Sequence, residues 1–64
     1  MDGVEIARLR QALGMTHKQF AARIGVARLT VQRWERGVNK PHGLDARALE
    51  DLARATAELA EAVS

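Results

Sequence analysis

Three arginines, a glutamine and a leucine recur between residues 28 and 36 at spacings that place them on one side of a helix. Guanidinium groups can bond guanine O6 and N7, a carboxamide can bond adenine N6 and N7, and an alkyl group can touch a thymine methyl. At about 100° per residue, this outer face consists of Arg28, Leu29, Gln32, Arg33 and Arg36. Its chemistry suits base edges in the major groove of DNA. A merely solvated helix face is the plainer alternative.

The opposite arc of the same helix is apolar and can pack on a core. It comprises Ala27, Val31 and Trp34, which fall together at the helical period. We therefore interpret Trp34 as a core residue and not as a platform on which bases stack.

Charge is distributed unevenly along the 64 residues. The net charge is +2, but residues 8–40 carry +7, residues 41–64 carry −3 and residues 1–7 carry −2. A basic centre of this kind is typical of proteins that bind polyanions. Its single acid, Glu35, has no basic neighbour three or four residues away on a helix, so it needs a more distant partner.

Composition narrows the classes of protein that the chain can represent. Its length suits one domain, residues 1–64. The chain has no cysteine and two histidines, which argues against disulfides and a structural zinc site, so we expect no metal and no cofactor. We also expect no enzyme and no catalytic residues, because no nucleophile–base pair or phosphate loop is evident. An acidic start and the lack of a long apolar run predict a cytoplasmic, nucleoid-associated protein without a membrane segment.

Caps and apolar spacing predict the first helices. Helix 1 should run from Val4 to Leu13, capped by Asp2 or Gly3 and ended by Gly14.

The next two helices are predicted to be short and close together. A capping box at residues 16–19 should start helix 2, which ends near Ile24 at Gly25. Helix 3 should then run from about Arg28 to Arg36, where Gly37 stops it. Their core is expected to include Phe20, Ala21, Ile24, Val26, Val31 and Trp34.

Helix 4 should begin near residues 42–44 and extend to about residue 60 or 62. No alternation typical of strands occurs, so we predict an all-α fold of four helices, or five if helix 4 breaks. The inner side of helix 4 is expected to consist of Leu44, Ala48, Leu52, Ala55 and Leu59.

Two short helices joined by a tight glycine turn predict a helix-turn-helix at about residues 16–36. The residues Thr16-x-x-Gln19-Phe20-Ala21-x-x-Ile24-Gly25-Val26 and Val31-x-x-Trp34-Glu35-Arg36-Gly37, followed by Lys40-Pro41, resemble the Cro/phage-repressor (XRE) family. The resemblance covers roughly residues 6–52 and implies a compact, lambda-repressor-like domain. Ala27 departs from the family, which often has a capping Ser or Thr there, and a lost cap costs on the order of 1 kcal/mol.

The resemblance also implies roles for the charged and polar residues. Base contacts are expected from Arg28, Leu29, Gln32 and Arg33. Alternatively, Leu29 packs against a neighbouring helix and Arg33 binds a phosphate.

Phosphate contacts are expected at the start of helix 2 and after helix 3, as in the family. The free N–H groups of the first turn of helix 2 already favour an anion. These contacts are expected from His17, Lys18, Thr30, Arg36 and Lys40. The family often pairs the glutamate that matches Glu35 with an arginine on helix 1, which implies a partly buried ion pair with Arg10.

Two functions from different classes remain open. The first is a sequence-specific transcriptional regulator, most simply a repressor, that binds a palindromic site on double-stranded DNA as a homodimer. Here the stripe of residues 52, 55, 59 and 62 would pack on a second copy; alternatively it folds back onto helix 1 or frays. The second is an antitoxin-like or adaptor module that holds a protein partner with its acidic, alanine-rich helix 4.

Overall fold

Helices form all of the regular secondary structure that a computed structural model describes for residues 1–63. They are α1 (Gly3–Ala12), α2 (His17–Ile24), α3 (Arg28–Glu35) and α4 (Gly43–Val63). The predicted all-α fold is confirmed, and α4 is continuous within the described residues, so it does not yield a fifth helix. Within the same residues, every helix is too short or too polar to cross a membrane.

Reciprocal side-chain caps fix the first turns of α1 and α2. At α1, Asp2 Oδ1 accepts a hydrogen bond from the Glu5 N–H at 2.9 Å, and Glu5 Oε1 accepts one from the Asp2 N–H at 3.3 Å. At α2, Thr16 Oγ1 accepts from the Gln19 N–H at 3.1 Å, and Gln19 Oε1 accepts from the Thr16 N–H at 2.9 Å. Each box satisfies two backbone donors that a helix start leaves without an intrahelical partner.

A tight turn of three residues joins α2 to α3. Gly25 has φ 97°, a left-handed conformation that glycine adopts without a steric penalty. The N–H groups of Gly25 and Val26 both donate to the Ala21 carbonyl, at 2.8 and 2.9 Å. Ala27 supplies no side-chain cap, yet α3 begins at Arg28 as predicted. The turn therefore brings α3 against α2 without a side-chain cap, and the buried side chains of both helices pack across it.

The core lies where all four helices meet. α3 packs against α2 and α1, and α4 packs against α2. Leu13, Ile24 and Val26 are partly buried at its edge. The buried side chains come from every helix and are Ile6, Leu9, Phe20, Ala21, Val31, Trp34 and Leu49.

α4 turns a different face to the core from the one predicted. Leu49 is 0% exposed, whereas Leu44 and Leu59 are 86% and 68% exposed. Leu52 and Ala53 are partly buried against the core. The predicted inner side is therefore wrong at both of its end leucines. Leu and Ala occur all around this helix, so its apolar period fits two faces, and the packing of α4 against the rest of the core selects between them.

The last turns of α4 extend beyond the core. Residues 57–62 are all exposed, and so is Ala55. The alternative that this segment folds back onto helix 1 is therefore wrong. The stripe of residues 52, 55, 59 and 62 therefore lies on the surface, apart from the partly buried Leu52.

α1 passes very close to the C-terminal end of α3 at Gly3. A Cβ added to Gly3 would lie 2.6 Å from the carbonyl oxygens of both Trp34 and Glu35, closer than real Cβ atoms come to any backbone atom. The sequence suggested Gly3 only as an alternative cap, but the cap is Asp2. The absence of a side chain at Gly3 therefore allows the spacing between α1 and α3.

Candidate nucleic-acid interface

α3 lies with one face on the core and the other in solvent. Val31 and Trp34 are 0% and 3% exposed. Arg28, Arg33 and Arg36 are all exposed, and none of them forms an ion pair within residues 1–63. The arginines thus stand on the outer side of the helix with their charges uncompensated by a nearby acid.

The two uncharged members of the outer face differ in accessibility. Leu29 is 51% exposed, so it does not bury itself against a neighbouring helix. Gln32 is half-buried at the edge of the face that borders α1. An exposed alkyl group and a carboxamide therefore accompany the guanidinium groups on this surface.

Glu35 is turned away from the outer face and held by Arg10. The Arg10 Nε donates to Glu35 Oε2 at 2.8 Å, and its Nη2 donates to Oε1 at 3.2 Å. The third donor of Arg10, Nη1, bonds the Met15 carbonyl at 3.1 Å. The side chains of Arg10 and Glu35 are only 14% and 11% exposed. This two-pronged contact joins α1 to the end of α3 across 25 positions of sequence.

The ion pair stays charged because its contacts outweigh the effect of burial on Glu35. Burial alone would raise the pKa of Glu35, but hydrogen bonds and charge from Arg10 and His17 bring it below its usual value. The hydrogen bond to Glu35 raises the pKa of Arg10 despite desolvation. The sole acid of residues 8–40 is therefore compensated on its inner side and does not offset the exposed arginines.

His17 has a partner inside the protein that sequence spacing did not indicate. Its Nε2 lies 3.2 Å from Glu35 Oε1, and its side chain is 35% exposed. The contact links the first residue of α2 to the last residue of α3. About a third of the imidazole remains at the surface, next to the start of α2 where a phosphate was predicted.

A groove between α1 and α3 brings together residues that lie far apart in the sequence. His17, Gln32 and Arg36 line it, together with Arg8 and Gln11 from α1. Arg8 was not among the predicted site residues, because on α1 alone it resembles a solvated charge. The one signal for it was its place in the basic stretch of residues 8–40.

Two further grooves place the other predicted phosphate-binding residues beside α3. Lys18 of α2 and Arg28 line the groove at the start of α3. Thr30 and Lys40 line a groove on the other side, which also contains Asp45. The candidate phosphate contacts thus border α3 on both sides, with the candidate base contacts between them.

Comparison with known proteins yields one family and one relative. A sequence model described as helix-turn-helix matches residues 6–58. The Type II methyltransferase M.SsoII of Shigella sonnei is 41% identical to the chain over 50 aligned positions. The alignment covers 73% of this chain but 13% of the methyltransferase. No solved structure matches the chain.

Proposed function

The chain belongs to the helix-turn-helix family of the Cro/C1 (XRE) type, whose members are DNA-binding regulators, and from this premise we propose that it recognises a specific operator and represses transcription. The observation that carries the proposal is the outer face of α3. Its arginines are exposed, while the one acid on this helix is turned inward and paired.

In the proposed complex, α3 enters the major groove of double-stranded DNA. Arg28, Gln32 and Arg33 bond base edges, and Leu29 touches a thymine methyl. Residues on either side of α3 contact the sugar–phosphate backbone and set the position of the helix in the groove. These phosphate contacts are His17, Lys18, Thr30, Arg36 and Lys40.

The regulator is proposed to act as a homodimer formed by one domain, residues 1–64, from each copy. Two recognition helices about 34 Å apart would enter successive major grooves, so the operator would be palindromic. Bound across a promoter, the dimer would block access of polymerase. Such a protein acts where the DNA is, at the nucleoid in the cytoplasm.

The methyltransferase relative does not extend the proposal to catalysis. Only 13% of that protein aligns with this chain, and the candidate site consists of side chains suited to binding. We therefore propose a regulator with no enzymatic activity and no cofactor.

A protein-interaction module, antitoxin-like or adaptor, is the second candidate function. It is favoured by the exposed Leu44 and Leu59 of α4, the helix that also carries most of the acids. A stoichiometric partner recovered by pull-down, together with no retardation of any DNA in mobility-shift assays, would select this function over the first.

Arg28→Ala and Lys40→Ala are expected to weaken DNA binding in different ways. Arg28→Ala should lose about 1–3 kcal/mol on the preferred site and relax the preference at one base pair. Lys40→Ala should weaken binding to all sequences alike and reduce the slope of log K against log salt by about 0.9, because one phosphate contact is lost. Sites selected from random DNA, followed by titrations at several salt concentrations, provide the measurement.

Failure of the wild-type protein to enrich any sequence would overturn the proposed function. If it enriches a sequence but both variants lose the same affinity on specific and random DNA, the division into base and phosphate contacts is wrong.

Arg8→Gln is expected to reduce the salt dependence of DNA binding although Arg8 lies on α1. Its groove is shared with Arg36 and His17, so a phosphate that contacts these residues would also lie near Arg8. The slope of log K against log salt should fall by about 0.9. Arg23→Gln is the matched control, since it removes the same charge from an exposed residue whose groove faces α4. Equal slopes of log K against log salt for the two variants would show that Arg8 does not contact the DNA.

A further inference from the structure

An apolar stripe on α4 is left uncovered by the rest of the fold. Its two leucines, Leu44 and Leu59, are 86% and 68% exposed. Ala55 and Ala62 are exposed between and beyond them, and Ala48 is half-buried at the border. At about 100° per residue, all five side chains fall within roughly 60° of arc, beside the face that carries Leu49. We call these five residues, 44, 48, 55, 59 and 62, the α4 stripe.

The α4 stripe has a distinctive order of large and small side chains. Leu44 and Leu59 are 15 positions apart, or roughly 22 Å along the axis at about 1.5 Å per residue. Alanines occupy the stripe between them, so two such helices could approach closely at the centre. Single exposed leucines are ordinary on protein surfaces, but apolar side chains aligned along one side of a helix are typical of an interaction site.

The charged residues beside the α4 stripe indicate which partner it fits. Arg47 and Glu58 are both exposed and lie on the same edge of the stripe, towards its opposite ends. When two helices pair antiparallel about a two-fold axis, like edges meet and opposite ends come together. Arg47 of each copy would then lie near Glu58 of the second copy, twice per pair. A parallel pair would instead place Arg47 against the other edge, where the half-buried Leu52 lies.

The middle of the edge that carries Arg47 and Glu58 is also compatible with antiparallel pairing. Asp51 lies there, and a two-fold axis would bring it near Asp51 of the second copy. Its Oδ1 is already 3.6 Å from Nη1 of Arg54 in the same chain. When the two aspartates approach each other across the axis, each would therefore have Arg54 of its own chain beside it to neutralise its charge.

We propose that two copies of this chain pair through the α4 stripe in an antiparallel arrangement. Leu44 of each copy packs against Leu59 of the second copy, Ala48 packs against Ala55, and Arg47 pairs with Glu58. The proposal rests on the homodimer of the proposed function and specifies its surface and direction. Because the pairing involves α4 alone, it can be measured without DNA.

Ala55→Glu and Ala57→Glu test the surface as a matched pair. Both alanines are exposed on α4, but Ala57 lies about 200° around the helix from Ala55 and outside the stripe. In sedimentation equilibrium without DNA, Ala57→Glu should dimerise like the wild type. Ala55→Glu should raise the dissociation constant at least about a hundredfold, because two carboxylates would lie unpaired in the interface. Circular dichroism should show unchanged helix content in both variants.

The outcomes distinguish this inference from the homodimer itself. If the wild type and Ala55→Glu dimerise equally, the copies pair elsewhere and the α4 stripe is not the interface. If the wild type is a monomer at high micromolar concentration, both the stripe pairing and the proposed homodimer are wrong. Neither result depends on site selection from random DNA, which tests DNA binding separately.

Disulfide formation between Ala48→Cys and Ala55→Cys variants tests the direction of pairing. The chain has no cysteine of its own. In the antiparallel arrangement, residue 48 faces residue 55 of the second copy, so a mixture of the two variants should form covalent heterodimers on oxidation. Each variant alone should not, because its two cysteines would be seven positions apart, roughly 10 Å along the axis and beyond disulfide reach. Cross-linking of each variant with itself would show a parallel pair and overturn the proposed direction.

Charge reversal provides an independent readout of the same arrangement. Arg47→Glu alone and Glu58→Arg alone should each weaken dimerisation, by about two- to fivefold per contact at low salt as for exposed ion pairs. A mixture of the two variants should favour the heterodimer, because both of its contacts again join opposite charges. Equal affinities for the homodimers and the heterodimer would contradict the Arg47–Glu58 contact.

Discussion

Leu49→Ala is expected to lower the free energy of unfolding by about 3 kcal/mol, within the range for leucines truncated in a core. Leu49 is 0% exposed and is the only fully buried side chain that the described part of α4 contributes. Its loss leaves a cavity between α4 and the other helices. Domains of this size bury a smaller fraction of their surface than larger domains do and are marginally stable, so such a loss removes much of the total free energy of unfolding. Urea unfolding followed by circular dichroism measures the change.

Leu29→Ala is the matched control for this prediction. It makes the same chemical change at a side chain that is 51% exposed on the outer face of α3. We expect a loss of less than about 1 kcal/mol, as for other surface substitutions. Comparable losses for Leu49→Ala and Leu29→Ala would contradict the burial of Leu49 and reopen the choice of inner face for α4.

Arg10→Met and Glu35→Gln are each expected to destabilise the fold by about 3 kcal/mol, because each removes one partner of a mostly buried ion pair. Met15 would lose its side-chain donor in the first variant, and His17 would lose an anionic partner in the second. Thermal or urea unfolding at pH 7 measures both. Negligible losses in both variants would show that the pair does not stabilise the fold.

The loss of stability at acidic pH is expected to depend on Glu35 more than on the other carboxylates. Its pKa is lowered in the folded state, so the pair's contribution is fully present above the unfolded pKa of a glutamate, roughly 4.3. The contribution is lost as the pH falls through the lower folded pKa. The wild type should therefore lose more stability than Glu35→Gln between neutral pH and this acidic range. Parallel pH profiles for the two proteins would contradict this assignment.

Arg54→Met is the control for removal of an arginine from an ion pair. Arg54 and Asp51 are 69% and 58% exposed and lie 3.6 Å apart. Exposed pairs of this kind contribute between zero and about 1 kcal/mol, so the variant should unfold almost as the wild type does.

Features that depend on residues close in sequence could be predicted from the sequence. The two residues of the Thr16–Gln19 capping box lie within one helical turn of each other, and so do those of the Asp2–Glu5 capping box. Gly25 signals the turn because few other residues adopt its φ angle readily. The outer face of α3 follows from spacing alone for the same reason, because the eight residues of this helix and its C-cap, Arg36, determine it.

Features that depend on how helices meet could not be predicted in this way. The approach of His17 to Glu35 spans 18 positions, and no local spacing encodes it. Arg8 joins the candidate interface only because α1 crosses beside α3. The prediction for the inner face of α4 is wrong because Leu44 and Leu49 are equally apolar. Which of the two is buried depends on how α4 packs against the other helices. The Arg10–Glu35 contact was anticipated through family resemblance and not through periodicity.

Trp34 gives this protein a natural fluorescent reporter that responds to its own buried surroundings. It is the single tryptophan of the chain, 3% exposed, and lies on the opposite side of α3 from Arg28 and Arg33. Nucleobases at the outer face cannot stack on its indole and quench it. Its fluorescence therefore follows the integrity of the interior and also the groove that it lines with Thr30 and Lys40, so a change in emission on adding DNA would mean that the interior has rearranged or that this groove is occupied, and not that bases have stacked on the indole.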